Sequence, residues 1–217
     1  MTVWSVWTQR NQARLNKPQS TLSQIASSAK ARLDEFSAAQ PIASPSQRSP
    51  CASWQPPPSD LYKINYDAAT FEQEGKSGIR VIIRDSHGAA IASLSQLIPC
   101  AYQVADMEAI AANRALEFAR EIGINDVILE GDSSLVHLAL KRGEHSLSPF
   151  GLLVEDIKLS SASFSTLLYS HTKREGNKVV HGLVRHAIHI LDYVVWMESM
   201  PPLSYAVFQA DLANIVQ

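Results

Sequence analysis

Two cysteines, Cys51 and Cys100, are all that the 217 residues contain, too few and too far apart for a disulfide framework. No Cys or His stands at zinc-finger spacing around them, so a reducing, intracellular setting, nucleus or cytoplasm, is expected. Long apolar runs are missing as well. None approaches the roughly 18 residues of a membrane span, and no charged region followed by an apolar core opens the chain, which argues against membrane insertion and secretion. Positive charge is scarce where a nucleic-acid backbone would demand it. The formal net charge is −2. Residues 1–59 hold Arg10, Arg14, Lys17, Lys30, Arg32 and Arg48 against only Asp34 and Glu35, which leaves the remainder acidic. That argues against a strong sequence-independent grip on phosphates, which rests on clustered Lys and Arg.

What the chain does have is patterning. Trp4 and Trp7 open a first segment, 1–39, in which Leu22, Ile25, Ala26, Ala29, Leu33 and Phe36 recur at helical spacing and predict one amphipathic helix. Its Ser content and paucity of acids also suit an organelle-targeting segment. Residues 40–59 carry six of the eleven prolines and should form a stiff, extended linker. A main domain is expected over 60–192, followed by a tail, 193–217, that shows no clear period.

Within the main domain, Leu61 to Ala68 alternates with Ile64, Tyr66 and Ala68 on one face and Asn65 and Asp67 on the other. Gly78 to Asp85 and Ala89 to Ile98 repeat the pattern, joined by the hairpin signal Asp85-Ser86-His87-Gly88. Val104 to Ile122 predicts a helix ending at Gly123, with Ala111, Ala115, Phe118 and Ile122 on its buried stripe. Asp126 to Gly131 is a short buried strand. Asp132-Ser133-Ser134 ends it and caps the next helix, which is expected to begin near Leu135 and stop near Gly143. A further helix runs from Phe150 to about Ala162, with Leu153 and Ile157 turned inward, and a fifth strand from Phe164 to Ser170, with Phe164, Thr166 and Leu168 alternating. The last helix spans Lys178 to about Leu191. It should bury Val180, Leu183, Ala187 and Leu191 and expose His181, Arg185 and His189. The expected fold is α/β, a five-stranded mixed sheet of three antiparallel strands with parallel additions, flanked by helices.

Adjacent first and fourth strands would open their C-terminal ends on one crevice, bringing Asp67 and Asp132 together with Glu108 near the start of the intervening helix. Three converging carboxylates repel one another unless a divalent cation lies between them. Oxygen-only ligands suit Mg²⁺ or Mn²⁺. Two such ions roughly 4 Å apart can activate a water and stabilise the leaving oxygen of a phosphodiester.

The ordered set of strand Asp67, helix Glu108, Gly131-Asp132-Ser133, His171, Asn177 and the helix containing Val180-His181-Gly182-Leu183-Val184 closely resembles the type 1 ribonuclease H domain. It looks most like the plant reverse-transcriptase-like branch related to non-LTR retroelements. Trp4 to Asn11 and the Trp54-Gln55-Pro56-Pro57 lead-in resemble what precedes the domain there, which makes residues 1–39 a retroelement-derived remnant. The resemblance implies a divalent-metal-dependent endonuclease, a hydrolase of the RNA strand of RNA/DNA hybrids. It implies a pair of Mg²⁺ or Mn²⁺ ions on Asp67, Glu108 and Asp132, with Asp67 bridging, and His171 assisting proton transfer or product release. The family's fourth acid falls on His181, a departure that puts turnover in doubt. Ser133, Lys173, Arg174, Asn177 and Lys178 are the expected nucleic-acid contacts. Ala68 replaces a family glycine and Thr70 to Lys76 lacks a Gly-rich loop, so hybrid binding by a monomeric chain should be weak. The alternative is a retroelement-derived nucleic-acid or protein interaction module with little or no hydrolysis.

Overall fold

In a computed structural model, the described residues are 54–143, 145–201 and 205–213, with scattered positions between 14 and 31. Of the expected N-terminal helix, Ser23, Gln24, Ala26, Ser27, Lys30 and Ala31 are described, helical and exposed; the rest of it and most of the linker lie outside the described residues. The chain divides into two compact units, Met1–Ser49 and Pro50–Gln217, and the second contains the sheet.

Alternation of apolar and polar residues produces β1 (Tyr62–Phe71), β2 (Lys76–Arg84) and β3 (Ala90–Ile98), paired antiparallel in sequence. The β2–β3 hairpin closes as its residues predict. The Asp85 side chain accepts from the backbone N–H groups of His87 and Ala89, and Gly88 takes a φ of 79°. Helix α1 (Val104–Glu121) returns the chain to β4 (Asp126–Gly131), which pairs parallel with β1. Helices α2 (Ser134–Arg142) and α3 (Pro149–Ser161) precede β5 (Thr166–His171), parallel to β4. Helix α4 (Lys178–Val184) tightens into a 3₁₀ turn, Arg185–His189. The chain ends in β6 (Tyr193–Met197) and α5 (Tyr205–Ala213).

The sheet has six strands in the order β5-β4-β1-β2-β3-β6. The sixth corrects the expectation of five. Tyr193–Met197 pairs antiparallel with β3, a tertiary edge that no period in an isolated pentapeptide announces. This strand lies beyond residue 192, and the second compact unit includes it. The last helix also differs from its expected span. It gives way to the 3₁₀ turn that feeds β6, and Leu191, expected inside, is fully exposed at 100%. Val180 and Ala187 are buried as expected and Val179 joins them, while the side chain of Leu183 lies outside the described residues. On the edge strand β5 the inward residues are Leu167 and Tyr169, not Thr166 and Leu168.

Two apolar clusters cover the two faces. Ile64, Tyr66, Ile79, Val81 and Ile83 meet α1, whose Ala109, Ala111, Ala112 and Ala115 are fully buried. Side chains this small let the helix axis lie close to the sheet. On the other face Ile82 packs with Val179, Val180, Met200 and Phe208.

The rest of that second face is polar and buried. Glu130 on β4 accepts from Lys63 (3.1 Å) and Asn65 (3.0 Å) on β1 and from Ser170 (2.8 Å) on β5. Asn65 in turn accepts from the Trp54 indole (2.8 Å) and from Arg84 (3.1 Å), whose guanidinium lies 3.6 Å from the centre of the Trp54 ring. Asp211 on α5 pairs with Arg84 at 3.1 Å. Trp54 belongs to the stretch expected to be a linker, yet it is only 1% exposed. An indole with an N–H partner and a cation on its face is worth burying even among prolines.

Removing one partner of a buried ion pair leaves the other uncompensated. Glu130→Ala should therefore cost about 3–5 kcal/mol, and Lys63→Ala a comparable amount. Urea denaturation of both variants and their double mutant checks this, since a shared interaction makes the two costs non-additive.

Candidate metal centre

The register between β1 and β4 places Asn65 opposite Glu130. Two residues further along each chain stand Asp67 and Asp132. β1 does not end at Ala68, as expected, but continues to Phe71, so the Asp67 carboxylate projects from mid-strand and is buried. Glu108 comes from the second turn of α1 and is 8% exposed. The three acids each offer an oxygen within 4.8 Å of the others. Within the capping triplet Asp132-Ser133-Ser134, Asp132 is not the cap. Ser133 takes that role, its hydroxyl accepting from the Val136 N–H at 3.4 Å, which leaves the Asp132 carboxylate to face the cluster.

Crowding of like charges in a dry place shapes the protonation of the group. Burial, then the Asp67 and Asp132 charges, push Glu108 up to about 9 from an ordinary 4.5. Burial and Asp132 raise Asp67 to about 6 from 3.8, against the lowering influence of His181 and the Ala68 backbone amide. The Tyr66 hydroxyl, buried beneath all three, is pushed well above its usual range, mainly by desolvation. Glu108 Oε2 is buried without a hydrogen-bond partner. An orphaned oxygen on one of three crowded carboxylates is an incomplete arrangement, and an oxygen-seeking divalent cation completes it. The donor set therefore fits such an ion.

Around this centre the expected residues separate into distinct places. His181 is not on an exposed stripe. It is half-buried, with Nδ1 3.0 Å from Asp67 Oδ2 and Nε2 accepting from Arg174 Nε at 2.9 Å. Asn177, expected as a nucleic-acid contact, is buried and holds the frame together. Its Nδ2 donates to the Tyr66 carbonyl at 2.9 Å and to Asp132 Oδ1 at 3.4 Å. Lys173, Arg174 and Lys178 are exposed, as a nucleic-acid contact requires. His171 is exposed at the end of β5, its Nε2 3.3 Å from the Asp132 carbonyl. Its ring centre lies 5.5 Å from that of His137. Burial, then Lys141 and His171, hold His137 below the usual imidazole range.

His137 escaped sequence reasoning, as did the physical need for glycine at Gly131. A Cβ on Gly131 would stand 2.5 Å from the Tyr66 ring, so only glycine lets β4 approach β1 here. The Gly-Asp-Ser triplet was legible, but the tyrosine ring that demands its glycine is a matter of tertiary packing. Beside the centre opens a cleft of ≈ 780 Å³ whose walls include Thr70, Phe71, Glu72, Glu74, Arg174 and His181.

Residues 65–187, more than half of the chain, match the model of the family described as reverse transcriptase-like. No curated protein matches the sequence. Solved structures do. Ribonuclease H1 from the halophilic archaeon Halobacterium salinarum superposes with a TM-score of 0.55 at 22% identity, covering 59% of this chain and 98% of its own. LC11-RNase H1, isolated from compost by a metagenomic approach, gives 0.54 at 24%, covering 60% and 96%. The LC11 enzyme in complex with an RNA/DNA hybrid gives 0.50 at 25%, covering 59% and 96%. The fold is that of ribonuclease H, and among the described residues no helix is long and apolar enough to cross a membrane.

Because Asp67 and Glu108 bind protons more tightly in the folded chain than unfolded, stability falls as pH rises through their folded values. In the presence of a chelator the thermal midpoint should drop between about pH 5 and about pH 9, and Glu108→Gln should flatten the upper half of that slope. A midpoint that rises across this range would show that the carboxylates are not crowded together. Gly131→Ala should cost about 1–3 kcal/mol through overpacking against Tyr66, read from the shift in the denaturation midpoint.

Proposed function

The chain belongs to the reverse transcriptase-like family, and on that premise we propose that it is a divalent-metal-dependent nuclease of the ribonuclease H type, acting on the RNA strand of RNA/DNA hybrids. One observation carries the reading: three acids from three separate elements converge within 4.8 Å, and the buried Glu108 has an oxygen without a partner. Asp67, Glu108 and Asp132 would hold the cation, Mg²⁺ or Mn²⁺. When bound, it lowers the pKa of a water and neutralises charge on the scissile phosphate.

The protein's own residues supply the rest. Asn177 keeps Asp132 turned toward the cluster and ties the following loop to β1 through the Tyr66 carbonyl. His171 stands at the solvent rim beside Asp132, where an imidazole can hand a proton to a leaving 3′-oxygen and then exchange it with water. Lys173 and Lys178, exposed on either side of the 3₁₀ turn Arg174–Gly176, can meet phosphates, as can the Ser133 hydroxyl. The LC11 enzyme crystallised with a hybrid supports that substrate class. Affinity should be weak, because Glu72 and Glu74 line the cleft beside the centre and no basic cluster offsets them.

Those two glutamates, together with a histidine where the family resemblance expects an acid, favour a second reading: a module that binds nucleic acid or protein with little hydrolysis.

Incubation of the purified chain with an end-labelled RNA/DNA hybrid in Mg²⁺ and then Mn²⁺ separates the two. The nuclease reading expects cleavage of the RNA strand that falls about 100-fold or more in Asp67→Asn. Cleavage that survives that substitution rules out the metal mechanism. Inactive wild type with activity in His181→Asp would establish the second reading.

A further inference from the structure

The resemblance to ribonuclease H implies a pair of ions, but the side chains beyond Asp67 are arranged for something else. We propose that His181 and Arg174 together fill the second-ion position, so that this site takes a single divalent cation. The inference rests on the reading of Asp67, Glu108 and Asp132 as the metal centre, and concerns how many ions that centre holds.

An arginine guanidinium carries only donors. With Arg174 Nε 2.9 Å from His181 Nε2, the imidazole must accept there, which makes it neutral and puts its proton on Nδ1. Nδ1 then donates to Asp67 Oδ2 across 3.0 Å. Both ring nitrogens are committed, and neither has a lone pair left for a metal. Arg174 Nη2 also lies 3.4 Å from Nδ1, so the permanent cation stands directly behind the imidazole. Its charge is felt at the centre, where it partly offsets the crowding that raises Glu108.

A second divalent ion on this side of Asp67 would find one carboxylate oxygen already hydrogen-bonded, no anionic ligand in place of the histidine, and a guanidinium next to it. Glu108 and Asp132, by contrast, converge with Asp67 and supply two acids, and Glu108 Oε2 has no competing partner. The three acids are therefore ready for one cation, while the Asp67 oxygen that meets His181 is already engaged by a ring backed by a fixed cation.

The test is stoichiometric and independent of turnover. The full chain, stripped with a chelator and dialysed, is titrated with MnCl₂ while free Mn²⁺ is followed by electron paramagnetic resonance and heat by calorimetry. One ion per chain is expected for the wild type and two for His181→Asp, while Asp67→Asn should weaken binding about tenfold or more. Two ions on the wild type would overturn the inference and leave the metal centre standing. None on a wild type that is folded by circular dichroism would overturn the metal centre and the inference with it. Should His181→Asp fail to fold, the exposed Arg174→Gln substitutes for it. A second, weaker Mn²⁺ phase is then expected, and an unchanged single phase would overturn the role given to Arg174.

Discussion

Three strands of this protein meet on one carboxylate. Glu130, buried on β4, accepts from Lys63 and Asn65 of β1 and from Ser170 of β5. A buried acid is costly unless each lone pair is met, so the three strands cannot slide or separate without exposing an unpaired charge to a dry interior. The consequence lies one or two residues downstream. Asp67 follows Asn65, Asp132 follows Glu130 and His171 follows Ser170, so the register that satisfies Glu130 also brings the candidate metal centre and its rim histidine to one end of the sheet.

The same network reaches outward to both ends of the compact unit. Trp54 closes over Asn65 and Arg84, and Asp211 on α5 neutralises Arg84. Segments that look peripheral in sequence thus finish the desolvation of a polar sheet face. Charge is handled in opposite ways on the two sides of Asp67. The Glu130 network pairs each of its charges with an opposite one, leaving only Arg84 Nε without a partner. The cluster of Asp67, Glu108 and Asp132 leaves Glu108 Oε2 unpartnered and pushes two carboxyl groups toward protonation. Stability is spent where the first occurs and withheld where the second does, the distribution expected of a scaffold holding a reactive site.

Much of this was legible in the chain. Period-two alternation in β1, β2 and β3, the Asp-Ser-His-Gly turn, the α1 stripe of alanines ending at Gly123, and the order of Asp67, Glu108 and Asp132 all follow from local rules, because each depends on residues a few positions apart. Even the convergence of the three acids followed from handedness and parallel pairing. What local pattern misassigned were the residues whose role depends on a distant partner. Asp132 reads as a helix cap until Ser133 is seen to take that bond. Asn177 reads as a surface contact, and Leu191 as core. Tyr193–Met197 has no period of its own and becomes a strand only because β3 offers an unpaired edge.

His181 marks the division most clearly. Sequence alone determined that a histidine stands where an acid was expected, and with it that the fourth position brings no negative charge. Only tertiary structure decided what that histidine does, because its protonation is set by two groups remote from it in different ways: Asp67, 114 residues away, which needs a donor, and Arg174, across a turn, which can only donate. Residue identity fixes which charges are available. The distances over which they act, and hence which of them are paired, come from the fold.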